Sequence, residues 1–271
     1  MSSMMDVVLE ECLTTLGPYL DQLVIAGGWV PYLYGKICDG RALQEPLMTY
    51  DFDAVVPRRR FIEEGLALND AILDAGFDLE FASLHNPPVV KYVKELPRGA
   101  RAEIEFITDE PGNREETKKI GSINAQALRH VGLLMDDPWV ISLSELGYAS
   151  GRSVRIPRPA AYIFHKVLTA PRRRQRVKTA KDLYYVFYVL DAFPAWKEAS
   201  LGEVRDLARA HESLGKKACG YLMPRFSSMD SEGVDLLLSQ KPQTTYPTMD
   251  DDQFRHYAHF AMAQLVDSLG E

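Results

Sequence analysis

The period of the apolar positions changes once along the chain. Up to about residue 155, short alternating or continuous apolar runs are interleaved with helical ones, whereas beyond Pro157 and Pro159 the helical period continues almost to the end. The first part predicts an amphipathic helix over 7–16, a strand over 22–26, a helix over 29–35 and a strand over 50–56. A helix over 60–75 follows, with Glu63 and Glu64 near its start and Gly76 as its stop, and then strands over 77–83, 89–94 and 101–108. The last of these reads Arg101-Ala-Glu-Ile-Glu-Phe-Ile-Thr108, so Glu103 and Glu105 share one face while Ile104 and Phe106 share the other. The second part predicts helices over 160–170, 179–193, 201–222, 231–238 and 250–269, and the Gly-, Asp- and Pro-rich stretches at 39–46 and 109–112 read as loops.

This pattern predicts an α+β fold. A small mixed β-sheet with flanking helices forms an α/β domain over residues 1–155, and an all-helical domain that opens with a basic segment occupies 156–271. With 271 residues and 46% apolar content, the chain can bury a core without disulfides or a structural metal. Cys12, Cys38 and Cys219 are odd in number, far apart and without metal-ligand spacing, which fits a reducing, cytoplasmic setting. The start of the chain lacks a basic leader, and no apolar run approaches the roughly 18 residues a membrane span needs, so no membrane partner is expected.

The net charge of −7 conceals an asymmetry. Ten Lys and Arg residues lie between Arg152 and Lys181 with no Asp or Glu among them, leaving the rest of the chain at −17. An acidic chain with one basic segment points to a local anion site rather than a general nucleic-acid coat.

The candidate chemistry begins at Asp51-Phe52-Asp53. On an extended strand both carboxylates project to one face while Phe52 turns to the core. Two adjacent acids repel, and the arrangement is tolerable where divalent cations occupy the gap; Mg²⁺ typically binds through one or two carboxylates plus substrate phosphates. A lone D-x-D equally describes an acidic strand edge. Upstream, Gly27-Gly28 ends the apolar run Leu23-Val-Ile-Ala26 and precedes a helix, a place where backbone N–H groups can approach a phosphate. No basic residue stands among Asp51, Asp53 and Glu105 in the sequence. Lys166, after His165 in an otherwise apolar helix, is either a snorkelling lysine or a phosphate ligand.

Taken in order, Gly27-Gly28, Thr49-x-Asp51-x-Asp53 and Ile104-Glu105-Phe106-Ile107-Thr108 resemble the polymerase-beta-type nucleotidyltransferase superfamily. Pro159-x-x-Tyr162-x-x-His165-Lys166-Val-Leu-x-Ala170, the Arg172 to Arg176 cluster and Lys181-Asp182-Leu183 resemble its AbiEii-like branch of abortive-infection and toxin–antitoxin proteins. The resemblance runs over residues 20–192. It implies that Asp51, Asp53 and Glu105 are the catalytic carboxylates and hold two Mg²⁺ ions, and that a nucleoside triphosphate is the substrate. It further implies that Lys166 binds the triphosphate, with Gly27, Gly28, Thr49, Arg173, Arg176 and Asp182 around the nucleotide. Glu103 competes with Glu105 for the third place because it lies on the same strand face; Glu105 is preferred because an acid within Ile-Glu-Phe-Ile is costly without a cation.

The acceptor implied is an RNA, with tRNA ends the natural toxin target, or a protein side chain, and a cognate antitoxin is the implied partner. Two other readings stay open: a nucleotidyltransferase for a small hydroxylated molecule such as an aminoglycoside, and a nucleotide-binding module of the same fold without catalysis. The chain departs from the family pattern at three positions, with Trp29 where a Ser or Thr is usual, Leu47 where an Arg often stands, and Tyr185 where a further Asp is common.

Overall fold

The computed structural model describes residues 4–38, 47, 49–63, 65–81, 87–110, 112, 116–148, 150–242, 246 and 248–270. Glu64 and the loop expected over 39–46 lie outside the described residues. Among the described residues the chain forms two compact units, the first made of the residues up to Ile37 and from Thr49 to Arg158, the second of Cys38, Leu47 and the residues from Pro159 on.

The first unit runs through α1 (Met4–Thr15), β1 (Val24–Ile25), α2 (Trp29–Ile37), β2 (Asp51–Val55), α3 (Leu68–Asp74), β3 (Asp78–Phe81), β4 (Val90–Glu95) and β5 (Arg101–Asp109). It continues with β6 (Thr117–Ile120), β7 (Ile123–Leu128), α4 (Gly132–Met135), β8 (Trp139–Ser142) and β9 (Ser153–Ile156). The strands form one mixed sheet in the order β3-β4-β5-β2-β1-β9-β8, with the β6–β7 hairpin joined to it through β7. β5 is the hub because its length lets three strands pair with it. β2 runs parallel along one edge, while the other edge is divided between antiparallel β4, over Arg101–Glu105, and parallel β7, over Ile107–Asp109.

The two faces of this hub differ in chemistry because side chains alternate along a strand. One face buries Phe52, Ala54, Tyr92, Ile104 and Phe106, with Tyr92 set edge-on to Phe106 at 5.9 Å and Trp29 beside Phe52 at 6.3 Å. Helix α1 lies against β5 and adds Val8, Leu9, Cys12 and Leu13 to the buried set. The opposite face has an apolar cluster at one end, where Val24, Ala26, Val55 and Ile107 pack against Val131 and Leu134. Asp51, Asp53, Glu103 and Glu105 lie earlier on the same strands and the same face, and all four keep contact with solvent.

The α+β class and the mixed sheet are as expected, but the sheet is larger than the patterning predicts. β6, β8 and β9 have four residues each and carry polar ones, as in Thr117-Lys-Lys-Ile120, so their period is too brief to register, whereas β7 alternates over Ile123–Leu128 and is missed. The helix expected over 60–75 begins only at Leu68. Glu63 does not open it; its carboxylate accepts from Leu68 N at 2.9 Å, from Ser122 N at 3.0 Å and from Ser122 Oγ, tying the start of α3 to the β6–β7 turn. Gly121 in that turn has φ +55°, and a Cβ there would fall 2.6 Å from Glu63 Oε2, so the turn needs glycine both for its backbone and for room.

The second unit is helical: α5 (Pro159–Thr169), α6 (Arg176–Ala192), α7 (Pro194–Ala210), α8 (Glu212–Leu222), α9 (Glu232–Leu238) and α10 (Asp251–Gly270). The single helix expected over 201–222 is two, broken at His211, whose φ of −121° and ψ of 58° leave the helical region. Pro194 at the first position of α7 extends it towards the N-terminus. Helix α6 is buried on nearly every side by α5, α7, α9 and α10, which is why its sequence shows no single apolar stripe. Its Phe187 meets Phe254 and Tyr257 edge-on at 5.6 and 6.0 Å. Its buried Asp191 accepts hydrogen bonds from Tyr246 Oη at 2.8 Å and from Tyr257 Oη. No described helix is long and apolar enough to cross a membrane.

Replacing Glu63 by alanine leaves the Leu68 and Ser122 donors without their acceptor. The expected cost is about 1–3 kcal/mol, read from the midpoint of chemical denaturation at neutral pH. A Glu63→Ala variant with the wild-type midpoint would show that this carboxylate does not hold α3 to the turn.

Candidate active site

Strand register assembles the acids. Parallel pairing sets Asp51 beside Glu103 and Asp53 beside Glu105, and antiparallel pairing on the other edge of β5 sets Lys91 beside Glu105. Carboxylate oxygens of Asp51, Glu103 and Glu105 all lie within 4.8 Å of one another. The Lys91 ammonium enters this cluster, with Nζ 3.2 Å from Glu103 Oε2, 3.8 Å from Asp51 Oδ1 and in direct contact with Glu105 Oε1. Arg101 Nε meets Glu103 Oε1 at 2.8 Å from the other side.

Burial works against ionisation of Glu103, but Lys91, a hydrogen bond with Asp51 and the Arg101 charge together hold its pKa below the usual carboxylate value. For Lys91 burial acts in the opposite sense to its partners; Glu105, Asp51 and Glu103 prevail and push its pKa above the ordinary lysine value. Glu103 is therefore held as the carboxylate beside the Lys91 ammonium.

Asp53 faces a different neighbour. Ala26 N donates to the Asp53 carbonyl at 2.8 Å, which brings the glycine turn against β2. Gly27 has φ +66°, and a Cβ built on it would stand 1.8 Å from Asp53 Oδ2. Glycine is thus required there twice over, for a left-handed backbone and for the space that the carboxylate fills. After Gly28, Trp29 opens α2 and is fully buried, edge-on to Tyr32 at 5.6 Å. The ring anchors the turn to the core where a Ser or Thr would offer a hydroxyl.

A second constellation forms within the helical unit. Lys166 on α5 is buried, and its Nζ donates to Asp182 Oδ1 at 2.7 Å; Arg173 Nε donates to Asp182 Oδ2 at 2.5 Å. The rings of Tyr162 and Tyr185 lie 5.7 and 5.3 Å from the Lys166 ammonium, and Tyr185 also receives Lys181 at 5.7 Å. Burial tends to raise the pKa of Asp182, but the Lys166 and Arg173 charges keep it below the ordinary value. From Pro171 to Lys178 every residue is exposed, including Arg172, Arg174, Arg176 and Lys178.

The sequence model of the nucleotidyltransferase family matches residues 6–208, well over half of the chain. The chain belongs to the nucleotidyltransferase family. No curated protein and no solved structure matches it significantly. Both constellations fall inside the nucleotidyltransferase match.

Within this nucleotidyltransferase, the residues singled out in the sequence fall into separate groups. Asp51 and Glu105 gather with Glu103, while the Asp53 carboxylate lies against Gly27, and Thr49 is buried just ahead of β2. Lys166, Asp182 and Arg173 form one network, in which Asp182 holds both cations; Arg176 stands apart from it, 3.8 Å from Glu232. Elsewhere in the basic segment, Arg152 donates to the Gly17 carbonyl at 2.6 Å and Arg158 pairs with Asp137 at 2.8 Å, so part of that charge serves the fold.

The absence of a basic residue among the acids, expected from the sequence, is corrected by Lys91. The alternation in Val90-Lys-Tyr-Val-Lys-Glu95 carried its signal, but only the β4–β5 register shows that Lys91 faces Glu105. Tyr185 supplies a ring face to two lysines.

Two outcomes follow from these geometries. Gly27→Ala forces the turn or Asp53 to move and should destabilise the protein by about 1 kcal/mol or more in thermal or denaturant unfolding; unchanged stability would mean that the Asp53–Gly27 contact is not maintained. Asp182 has a depressed folded-state pKa, so its contribution is present above the unfolded value of about 3.9 and is lost as the pH falls below it. Asp182→Asn should therefore cost about 3–5 kcal/mol at pH 7, as for breaking a buried ion pair, with the gap to wild type closing below about pH 4. A gap independent of pH would refute the assigned ionisation.

Proposed function

We propose that the protein is a metal-dependent nucleotidyltransferase that moves a nucleoside monophosphate from a nucleoside triphosphate to an RNA, with tRNA ends the leading acceptor, or to a protein side chain. The observation that carries this reading is the cluster of Asp51, Glu103 and Glu105 on paired parallel strands inside a nucleotidyltransferase match. The donor set fits a hard cation: three carboxylates, with Asp53 one step along the same face and no thiolate or imidazole in the cluster, suit Mg²⁺ or Mn²⁺ better than zinc. When bound, such a cation supplies charge stabilisation at the phosphoryl oxygens and lowers the pKa of an attacking hydroxyl.

In this reading Asp51, Glu103 and Glu105 hold one cation and Asp53 flanks them, towards a second. The N–H groups of the Gly27-Gly28 turn bind a phosphate at the start of α2. Asp182 fixes Lys166 and Arg173 in place, and the motif on α5 supports Lys166 as a phosphate ligand. The exposed cations from Arg172 to Lys178 support a polyanionic acceptor over a cationic small molecule. Together with the motifs on α5 and α6 they support an AbiEii-like, toxin–antitoxin or abortive-infection role with a cognate antitoxin as partner, in the cytoplasm.

A second reading, a nucleotide-binding module without catalysis, is favoured by one observation, the Lys91 ammonium among the carboxylates. Incubation with each α-³²P nucleoside triphosphate, Mg²⁺ and cell extract separates the two. Wild type should label RNA or protein, and Asp51→Asn and Glu105→Gln should fall to background with native melting curves. Lys166→Met should weaken nucleotide binding and turnover together. Equal nucleotide binding by wild type and Asp51→Asn, with no label transferred by either, would make the binding module the function.

A further inference from the structure

Lys91 stands where the cation of the proposed function would stand. Its ammonium has three protons, and the three carboxylates around it, those of Glu105, Glu103 and Asp51, are the ones whose oxygens gather within 4.8 Å. A divalent ion would need oxygens of these three carboxylates at about 2.0–2.6 Å. The ion and the ammonium therefore compete for the same three carboxylates.

The placement is specific to this lysine. Lys91 starts from β4, beside Glu105, and its stem passes over β5 to reach Asp51 on β2. Lys94, three residues on along the same strand, is bound elsewhere, to Glu11 Oε1 and the Ala75 carbonyl, both at 2.6 Å.

We propose that Lys91 is a resident counterion of the carboxylate cluster that keeps a free divalent cation out and gives way when a polyphosphate brings the cation in. The inference rests on the metal-dependent reading above. A free Mg²⁺ would displace the ammonium and leave it beside a dication with no new anionic partner, so its net gain is small. A cation already bound to a polyphosphate brings both halves of the exchange, a charge for the carboxylates and anionic oxygens for the ammonium. The Lys91 side chain, 28% exposed on a flexible stem, can swing to meet them. Metal and polyphosphate binding are then positively coupled, and by linkage each strengthens the other.

The test uses the full chain with Mn²⁺ as probe. Free Mn²⁺ is titrated by electron paramagnetic resonance, and the preformed Mn²⁺–tripolyphosphate complex is titrated calorimetrically, on wild type, Lys91→Met and Asp51→Asn. Lys91→Met should bind free Mn²⁺ about tenfold more tightly than wild type and the complex about tenfold more weakly, in the range seen when groups around metal ligands are changed. Unchanged or weaker binding of free Mn²⁺ by Lys91→Met, with Asp51→Asn losing binding, would overturn the counterion role and leave the metal site standing. Tighter free Mn²⁺ with unchanged affinity for the complex would overturn the exchange. Failure of wild type and Lys91→Met to bind Mn²⁺ in either form would remove the metal-dependent reading itself. Melting curves establish that Lys91→Met is folded, and Lys91→Gln replaces it if it is not.

Discussion

The parallel pairing of β2 with β5 brings like charges together, and much of the first unit is arranged around that fact. Asp51, Asp53, Glu103 and Glu105 lie in register on one sheet face, where mutual repulsion opposes the strand pairing that places them. The opposite face compensates through the buried ring and aliphatic contacts of Phe52, Ile104, Phe106, Tyr92 and Trp29. On the acidic face itself, Lys91 and Arg101 neutralise part of the charge from within the sheet. An apolar anchor on one side and cationic partners on the other allow a concentration of acid that an isolated strand pair would shed.

The helical unit solves a related problem with a different stoichiometry. There one carboxylate, Asp182, serves two cations, so the buried Lys166 has a fixed partner while Arg173 remains partly in water. Tyrosine faces supply the remaining electrostatic support at Lys166 without adding charge. The acid cluster has an excess of anions; the Lys166 network has an excess of cations.

Much of this was legible in the chain because it depends on local periodicity. The Asp51-Phe52-Asp53 alternation and the Glu103/Glu105 face required only that their strands exist, and the apolar flanks made the strands plain. The Gly27-Gly28 turn was legible as a turn, but its close contact with Asp53 depends on how β1 and β2 pair. Lys91 was hidden for the same reason, since its role is a property of register between β4 and β5, which no pattern within either strand specifies. Glu63 was misread because an acid before a helical run usually marks a first turn, whereas here it reaches a hairpin far along the chain. The break at His211 has neither glycine nor proline to announce it.

Phe187 and Asp191 bear on what the family match means physically. The matched region ends at residue 208, yet α6, which lies inside it, completes its packing with residues beyond it. Phe187 rests on Phe254 and Tyr257, and Asp191 takes its hydroxyl partners from Tyr246 and Tyr257. A chain cut at the end of the match would bare an aromatic surface and strand a buried carboxylate. The C-terminal helices are thus no appendage to a finished enzyme core; they are the missing wall of the helix that carries Asp182.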